Sequence, residues 1–209
     1  MQNIEKCVNI LKRKGADALV LLDEANMHYL CGFSPSEGMV IILNNGDAFH
    51  LVDSRYTETA ENHAKETGLK VIEFKRSYYE ELAKIINDSK SKSIVYESNT
   101  ISLKAFENIK KHCKDAQMVE LGDLLMRERN RKEAEEIVLM KKANQIAEKA
   151  FLELLNHIKP GKTEKELAAY FDYLMAKEGS DGVSFDTILL AGERTSMPHG
   201  VPSENTVKD

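Results

Sequence analysis

Residues 39–52, MVIILNNGDAFHLV, form the stretch of sequence that most directly decides the fold. Two short apolar runs, at 39–43 and 48–52, flank a polar segment that contains Asn45 and Gly46. An Asn-Gly pair between two apolar runs is a strong hairpin signal, because both residues adopt positive φ readily. The stretch therefore predicts two antiparallel strands joined by a tight turn.

Around this hairpin, short apolar runs alternate with segments of helical periodicity. The continuous apolar run at 18–22 is typical of a strand that is covered on both faces. Strands that alternate with helices, together with one hairpin, predict an α/β domain with a mixed sheet over residues 1–124. By the same criteria we expect helices at 4–14, 57–67, 78–86 and 103–113, strands at 71–74, 93–96 and 118–121, and a connecting segment at 26–33.

The sequence changes character after residue 124, and a second, incomplete unit is predicted at 125–209. Asn130 followed by Glu133 predicts a capping box at the start of a long helix, which Pro160 and Gly161 end. This helix carries a stripe of apolar residues at helical spacing. The stripe consists of Ala134, Ile137, Val138, Ala143, Ile146, Ala147, Ala150, Phe151, Leu154, Leu155 and Ile158.

A second helix and one strand are predicted after this long helix. Thr163 and Glu166 predict another capping box, and Gly179 is expected to end the helix. The β-prone run at 183–190 predicts a short strand. Two helices and one strand leave a wide apolar face uncovered, so other residues are needed to complete such a domain.

The run Pro198-His199-Gly200-Val201-Pro202 contains the candidate catalytic residue, His199. The two prolines restrict φ on either side of the histidine, and the glycine allows another group to approach closely. An imidazole presented in this way can donate a hydrogen bond to a carbonyl group or carry a proton near neutral pH. A surface histidine without a chemical role would show the same spacing, so the pattern by itself leaves both interpretations open.

Composition and charge argue against several classes of protein. The net charge of −5 disfavours nucleic-acid binding, which needs a positive surface. No apolar run approaches the roughly 18 residues that a membrane span requires, and the first residues lack the apolar region of a signal peptide. Cys7, Cys31 and Cys113 suit neither a disulfide framework nor a zinc motif, which favours reduced thiols and a cytoplasmic protein.

Other motifs have simpler structural interpretations. Asp53-Ser54-Arg55-Tyr56 follows a predicted strand and precedes a predicted helix, so Asp53 or Ser54 is expected to cap that helix and Arg55 to tie a loop or interface. The absence of G-x-S-x-G, P-loop and G-x-G-x-x-G patterns disfavours serine hydrolases and nucleotide-binding proteins. Five histidines lack ligand spacing, and structural or surface roles are expected for them: His28, His50, His63, His112 and His157.

Residues 184–203, SFDTILLAGERTSMPHGVPS, resemble the segment that leads into the active site of the pita-bread metallopeptidases, in the Xaa-Pro aminopeptidase and Xaa-Pro dipeptidase (prolidase) branch. The resemblance extends over the whole chain, from a creatinase-like N-terminal domain with Asp53-Ser54-Arg55-Tyr56 to His199. It implies an α/β creatinase-like domain with a mixed sheet, followed by the incomplete start of an α+β pita-bread catalytic domain. It also implies that His199 contacts the substrate and hydrogen-bonds its carbonyl oxygen or oxyanion.

The same resemblance implies a two-metal peptidase that hydrolyses the X-Pro bond of proline-containing peptides with Mn²⁺, Co²⁺ or Zn²⁺. In that family the metal ligands lie further along the sequence than Asp209. We therefore expect this chain to be the front portion of an enzyme, without metal ligands and inactive by itself. A homodimer is also implied, in which the loop at 33–38 approaches the partner's active site.

Two alternatives to the peptidase remain open. One is a pita-bread relative that binds a ligand without catalysis, and the other is a creatinase-type amidinohydrolase on the same scaffold. The Pro-His-Gly-Val-Pro run favours a peptidase over both. The uncovered apolar stripe also predicts self-association through residues 131–190, with the tail after Pro198 poorly ordered.

Overall fold

The structure, a computed structural model, describes residues 2–209 and separates into two compact units that divide between Arg131 and Lys132. A helix at Leu124–Asn130 follows the boundary that we expected near residue 124, yet it belongs to the first unit. Its Leu125 side chain is buried in the core of that unit. None of the helices in residues 2–209 is long and apolar enough to cross a membrane.

The first unit is built on a six-stranded mixed sheet, as predicted. The strands are β1 (Ala18–Leu21), β2 (Gly38–Leu43), β3 (Ala48–Val52), β4 (Lys70–Glu73), β5 (Ser93–Tyr96) and β6 (Gln117–Glu120). The hairpin of β2 and β3 is antiparallel and places Met39 opposite Leu51. Strand β1 pairs antiparallel with β2 and parallel with β5, and the outer pairs are parallel. Across the sheet, the strands therefore lie in the order β4-β3-β2-β1-β5-β6.

Helices cover both faces of this sheet, which explains the continuous apolar runs of its central strands. The helices are α1 (Gln2–Lys14), α2 (Glu24–Cys31), α3 (Thr57–Thr67), α4 (Tyr78–Asp88), α5 (Leu103–His112) and α6 (Leu124–Asn130). Leu19 and Ile42 contribute to one apolar cluster together with residues of α1, α2 and α6. Val20 and Ile41 contribute to a second cluster with residues of α4 and α5, because successive side chains of a strand point to opposite faces.

The predicted connection at 26–33 is wrong, because most of it belongs to helix α2. The carboxylate of Asp23 accepts a hydrogen bond from the Asn26 N–H at 3.0 Å and caps the start of the helix. Gly32 ends it with φ of 79° and donates its N–H to the His28 carbonyl. An eight-residue helix is too short to show a clear apolar period, so its end signals were the only available evidence.

The predicted cap of α3 is also wrong. Tyr56 precedes the helix, and the Asp53 carboxylate instead accepts the Arg55 backbone N–H at 2.8 Å. The same carboxylate pairs with the Arg55 guanidinium at 2.6 Å, so Arg55 ties this turn together, as expected. Asp53 therefore stabilises the turn before the helix rather than the helix end.

The second unit contains two helices, α7 (Ala134–Leu155) and α8 (Glu164–Lys177), and a 3₁₀ helix at Gly192–Ser196. They pack through a small cluster that includes Ala150, Leu154, Leu167 and Leu174. Most of the apolar stripe predicted for α7 stays exposed: Ala150 and Leu154 are its buried members. The uncovered apolar face expected from the sequence is therefore present.

The sequence predicted the start of α8 correctly but not the start of α7. The capping box of α8 is confirmed, because the Glu166 N–H donates to Thr163 Oγ1 at 3.1 Å and the Thr163 N–H to Glu166 at 2.8 Å. Asn130 does not cap α7, because it ends α6. Helix α7 begins after Glu133, whose N–H donates to the Glu136 carboxylate at 2.8 Å.

The strand predicted at 183–190 is wrong, since these residues form no regular secondary structure. Their β-prone side chains have no neighbouring strand to pair with in the part of the chain that the structure describes. Thr187 Oγ1 donates to the Asp172 carboxylate of α8 and fixes the segment there. Phe185 points its ring into solvent.

Candidate functional site

His199 lies in a tight turn that follows the 3₁₀ helix. The Met197 N–H donates to the Arg194 carbonyl at 3.0 Å, and the Gly200 N–H donates to the Met197 carbonyl at 3.1 Å. The His199 side chain is exposed to solvent, where it can meet a ligand. A side chain at Gly200 would overlap Leu190 Cδ1, so the glycine allows the close packing that the sequence suggested.

The loop that carries His199 closes on one buried carboxylate, that of Glu164 at the start of α8. Glu164 Oε1 accepts hydrogen bonds from the Ala191 N–H at 2.9 Å and from Asn205 Nδ2 at 3.0 Å. Glu164 Oε2 accepts from the Ser203 N–H at 3.0 Å and from Ser203 Oγ at 2.8 Å. Donors from both sides of His199 in the sequence thus meet at a single side chain.

Arg194 joins this carboxylate to the chain beyond His199. Its Nε–H lies 3.1 Å from both oxygens of Glu164. Its Nη2 donates to the Val201 carbonyl at 2.8 Å. The guanidinium therefore bridges the start of α8 and the residue that follows the His-Gly pair.

Glu164 is held in its charged form. Its side chain has 0% exposure, and this burial raises its pKa. Hydrogen bonds from Ala191, Asn205 and Ser203 outweigh the burial and lower the pKa to about 2. A carboxylate with this many donors is a stable anchor at neutral pH.

The chain after Pro198 is tied to the start of α8 rather than poorly ordered, so that expectation is wrong. The Gly161 N–H donates to the Val207 carbonyl, and the Val207 N–H donates to the Lys162 carbonyl, both at 2.9 Å. The Glu164 N–H donates to the Asn205 carbonyl at 2.9 Å. The Val207 side chain also packs against the apolar cluster of the second unit.

The sequence did not reveal the role of Glu164. An acidic residue in the first turn of a helix is ordinarily explained by the helix dipole and by exposure to solvent. The donors Arg194, Ser203 and Asn205 come from a distant part of the chain and form no recognisable motif. The nearest available signal was a second carboxylate, Glu164, beside Glu166, which already completes the capping box.

Three of the other histidines, for which structural or surface roles were expected, contact neighbours in the structure. His50 is 2% exposed, contacts the ring of Phe33 with centroids 5.2 Å apart, and has no hydrogen-bond partner for Nε2 among residues 2–209. Burial, followed by the proximity of His63, lowers its pKa to about 4. His112 Nδ1 lies 2.8 Å from the Asn108 carbonyl oxygen of its own helix, and His157 Nδ1, just after α7, lies 3.3 Å from the Glu153 carbonyl oxygen.

The cysteines are buried free thiols, as the sequence indicated. Burial raises the pKa of Cys7 and of Cys31 to about 12, and that of Cys113 to about 11. Within residues 2–209, no three His, Cys, Asp or Glu side chains come together in a way that could hold a metal ion.

Comparison with known proteins assigns both units. Residues 3–131 match the creatinase/prolidase N-terminal domain, and residues 138–209 match metallopeptidase family M24. The Xaa-Pro dipeptidase of Pyrococcus furiosus is 30% identical over 207 residues, which are 99% of this chain and 57% of that protein. This chain therefore spans little more than half the length of that relative.

The solved structures of two relatives resemble all or nearly all of the chain. The Xaa-Pro dipeptidase from Bacillus anthracis gives a TM-score of 0.91 at 29% identity and covers 100% of this chain and 57% of its own. The X-Pro aminopeptidase from Thermotoga maritima gives a TM-score of 0.86 at 35% identity and covers 96% of this chain and 57% of its own. The likeness thus includes the second unit and its loop.

The six-stranded mixed sheet lies in the unit that matches the creatinase/prolidase N-terminal domain, and the helix pair lies in the unit that matches metallopeptidase family M24. The chain belongs to the family with a creatinase/prolidase N-terminal domain, and its second unit matches metallopeptidase family M24. The resemblance inferred from the sequence is thereby confirmed. The role of His199 stays a prediction.

Proposed function

We propose that this chain forms the N-terminal domain and the beginning of the catalytic domain of an enzyme that hydrolyses the X-Pro bond of peptides. The observation that carries the proposal is the likeness of both units, in this order, to Xaa-Pro dipeptidases and X-Pro aminopeptidases over nearly the whole chain. The exposed His199 in a hydrogen-bonded turn supports it, because an accessible imidazole on a fixed backbone suits hydrogen bonding to a peptide carbonyl.

His199 is proposed to contact the substrate. Its exposed imidazole would donate a hydrogen bond to the carbonyl oxygen of the residue before proline, and this bond would strengthen as negative charge develops there. The hydrogen bonds of the turn at 197–200 fix the backbone that carries the ring before the substrate arrives. Preorganised donors of this kind contribute more than donors that must first be ordered.

Family M24 implies divalent metal ions, and we propose Mn²⁺, Co²⁺ or Zn²⁺ as the activating ions. The residues described here do not form a site for them, since no suitable cluster of ligands is present in residues 2–209. We therefore assign no step of the reaction to a metal held by these residues. The contribution of this chain is the substrate contact and its support.

We further propose that the protein is a cytoplasmic homodimer. Large apolar side chains stay exposed on α7, including Val138, Leu139 and Phe151. Exposed apolar surface of this kind favours association with another copy or with further chain. The loop at 33–38 is proposed to approach the partner's active site.

The proposed activity is tested by assaying the active enzyme that carries this sequence against Ala-Pro, Ala-Pro-Ala and creatine, with each of the three metal ions. Ala-Ala serves as the control dipeptide. We expect hydrolysis of the X-Pro substrates, and loss of activity when a chelator removes the metal. Hydrolysis of creatine, or of Ala-Ala as fast as Ala-Pro, would contradict the proposal.

The role of His199 is tested in the same enzyme with His199→Ala. Removing a preorganised donor to a developing oxyanion is expected to lower kcat by about 10²-fold. Metal content should be unchanged, because His199 is proposed to contact substrate only. Loss of bound metal in the variant would make His199 a ligand instead.

A further inference from the structure

We propose that Glu164 is a positioning residue for the loop at 191–205 and, through that loop, for His199. The geometric part of this inference stands on the hydrogen bonds of Glu164 alone. Its catalytic consequence rests on the function proposed above for His199. The two parts are tested separately below.

The contacts of Glu164 reach the loop on both sides of His199. Ala191 and Arg194 donate from the preceding segment, at 2.9 and 3.1 Å. Ser203 and Asn205 donate from the following segment, at 2.8 and 3.0 Å. The carboxylate thus closes the base of the loop, and His199 lies at its exposed end.

The charge of Glu164 is needed for this arrangement. Every group around the carboxylate is a donor, and both oxygens accept more than one bond. A glutamine would place its NH₂ group against the donors of Arg194 or Ser203 and leave the guanidinium without its counter-charge. Glu164→Gln therefore preserves the size of the side chain and removes the negative charge that closes the loop.

Glu164 is not needed to cap α8. Thr163 Oγ1 accepts the Glu166 N–H at 3.1 Å, and the Glu166 carboxylate accepts the Thr163 N–H at 2.8 Å. Both glutamates lie in the first turn of the same helix, where a negative charge is favourable. Glu166→Gln is therefore a matched control that removes the same charge from the same turn without touching the loop.

The first experiment measures amide hydrogen exchange in the 209-residue chain with Glu164→Gln, Glu166→Gln and the unchanged sequence. The reporter amides are those of Met197 and Gly200, which are hydrogen-bonded within the loop and not to Glu164. We expect Glu164→Gln to accelerate their exchange by about tenfold or more, and the amides in the middle of α8 by less than about threefold. Glu166→Gln should leave the two reporters unchanged.

Two outcomes of this experiment would overturn the inference. Unchanged exchange at Met197 and Gly200 in Glu164→Gln would show that the loop is held without the carboxylate. Equal acceleration of the loop and of α8 would show that Glu164 only stabilises the second unit as a whole.

The second experiment is a double-mutant cycle in the active enzyme with Glu164→Gln and His199→Ala. If Glu164 acts through His199, Glu164→Gln lowers kcat by about tenfold or more alone and by less than about threefold on the His199→Ala background. Equal losses in both backgrounds would overturn the positioning role. If the enzyme without substitutions fails to hydrolyse X-Pro peptides, the proposed function is refuted. The hydrogen-exchange experiment then still decides whether Glu164 holds the loop.

Discussion

The contacts that stabilise the first unit internally differ in kind from those that stabilise the second. The first unit buries its central strands completely, and Leu19, Ile42 and Leu51 all have 0% exposure. The second unit leaves Leu139 66% and Phe151 50% exposed and fixes its long loop with one buried carboxylate. Apolar burial thus organises one unit, and polar contacts organise much of the other.

A pair of buried glutamates shows the same difference. Glu97 in the first unit accepts hydrogen bonds from the N–H groups of Leu22 and Asp23, yet burial raises its pKa. Glu164 is also buried, but the hydrogen bonds from Ala191, Asn205 and Ser203 outweigh the burial and lower its pKa to about 2. Both carboxylates accept several hydrogen bonds, but burial dominates the pKa of Glu97, whereas the donors dominate that of Glu164.

The largest expected effect distinguishes the two kinds of packing directly. Leu51→Ala should destabilise the first unit by about 2–5 kcal/mol, because it leaves a cavity in a closed core. The matched change Leu139→Ala in α7 should alter stability by less than about 0.5 kcal/mol, because that side chain is mostly in water. Urea unfolding of the monomeric chain measures both. Similar losses for the two variants would show that α7 is packed as tightly as β3.

Acid should weaken the units in a fixed order. His50 binds a proton near pH 6.5 when unfolded but only near pH 4 when folded, so the first unit loses stability as pH falls between these values. A shift of this size corresponds to about 3 kcal/mol. The contribution of Glu164 is present above about pH 4.5 and is lost only as pH falls towards about 2. The first unit should therefore weaken at the higher pH.

The acid prediction is checked by urea unfolding between pH 7 and pH 3, with His50→Gln as the control. The difference between the unchanged chain and this variant isolates His50, because Glu97 titrates in both. The unchanged chain should be the more sensitive of the two between pH 6.5 and pH 4. The same pH dependence in both chains would remove His50 as the cause.

Two glycines that follow helices, one in each unit, differ in the space beside them. Gly179→Ala strains a backbone with φ of 95° but meets no neighbour within 4 Å, so we expect a loss of about 1 kcal/mol. Gly32→Ala has the same type of strain at φ of 79°, and its Cβ would lie 2.5 Å from His63 Nδ1. Overpacking raises the expected loss to about 2–4 kcal/mol. Equal losses in thermal unfolding would show that His63 moves aside freely.

Much of the first unit was predictable from the sequence, because each signal there is local. The Asn45-Gly46 turn and the apolar run of β1 predicted their strands and the mixed sheet. Helix α2 was missed, because its eight residues show no clear apolar period. Asp53 was misassigned as a helix cap, since an Asx turn and a cap use the same residue type.

The second unit was less predictable, because its signals depend on distant residues. The run at 183–190 has β-branched and aromatic side chains, but a strand forms only beside another strand. The candidate His199 was found from neighbouring prolines and glycine. The carboxylate that holds its loop was not, because the donors of Glu164 lie at 191–205, far from it in the sequence.

The central claim, that a closed apolar core holds the first unit and local polar contacts hold the second, is tested most directly by hydrogen exchange over the whole chain at several concentrations. In dilute solution, amides of β1 and β2 should exchange at least about 100-fold more slowly than those at 134–147 of α7. The α7 amides should slow as the concentration rises and its apolar face is covered by association. Equal protection of α7 and the central strands at every concentration would contradict the account.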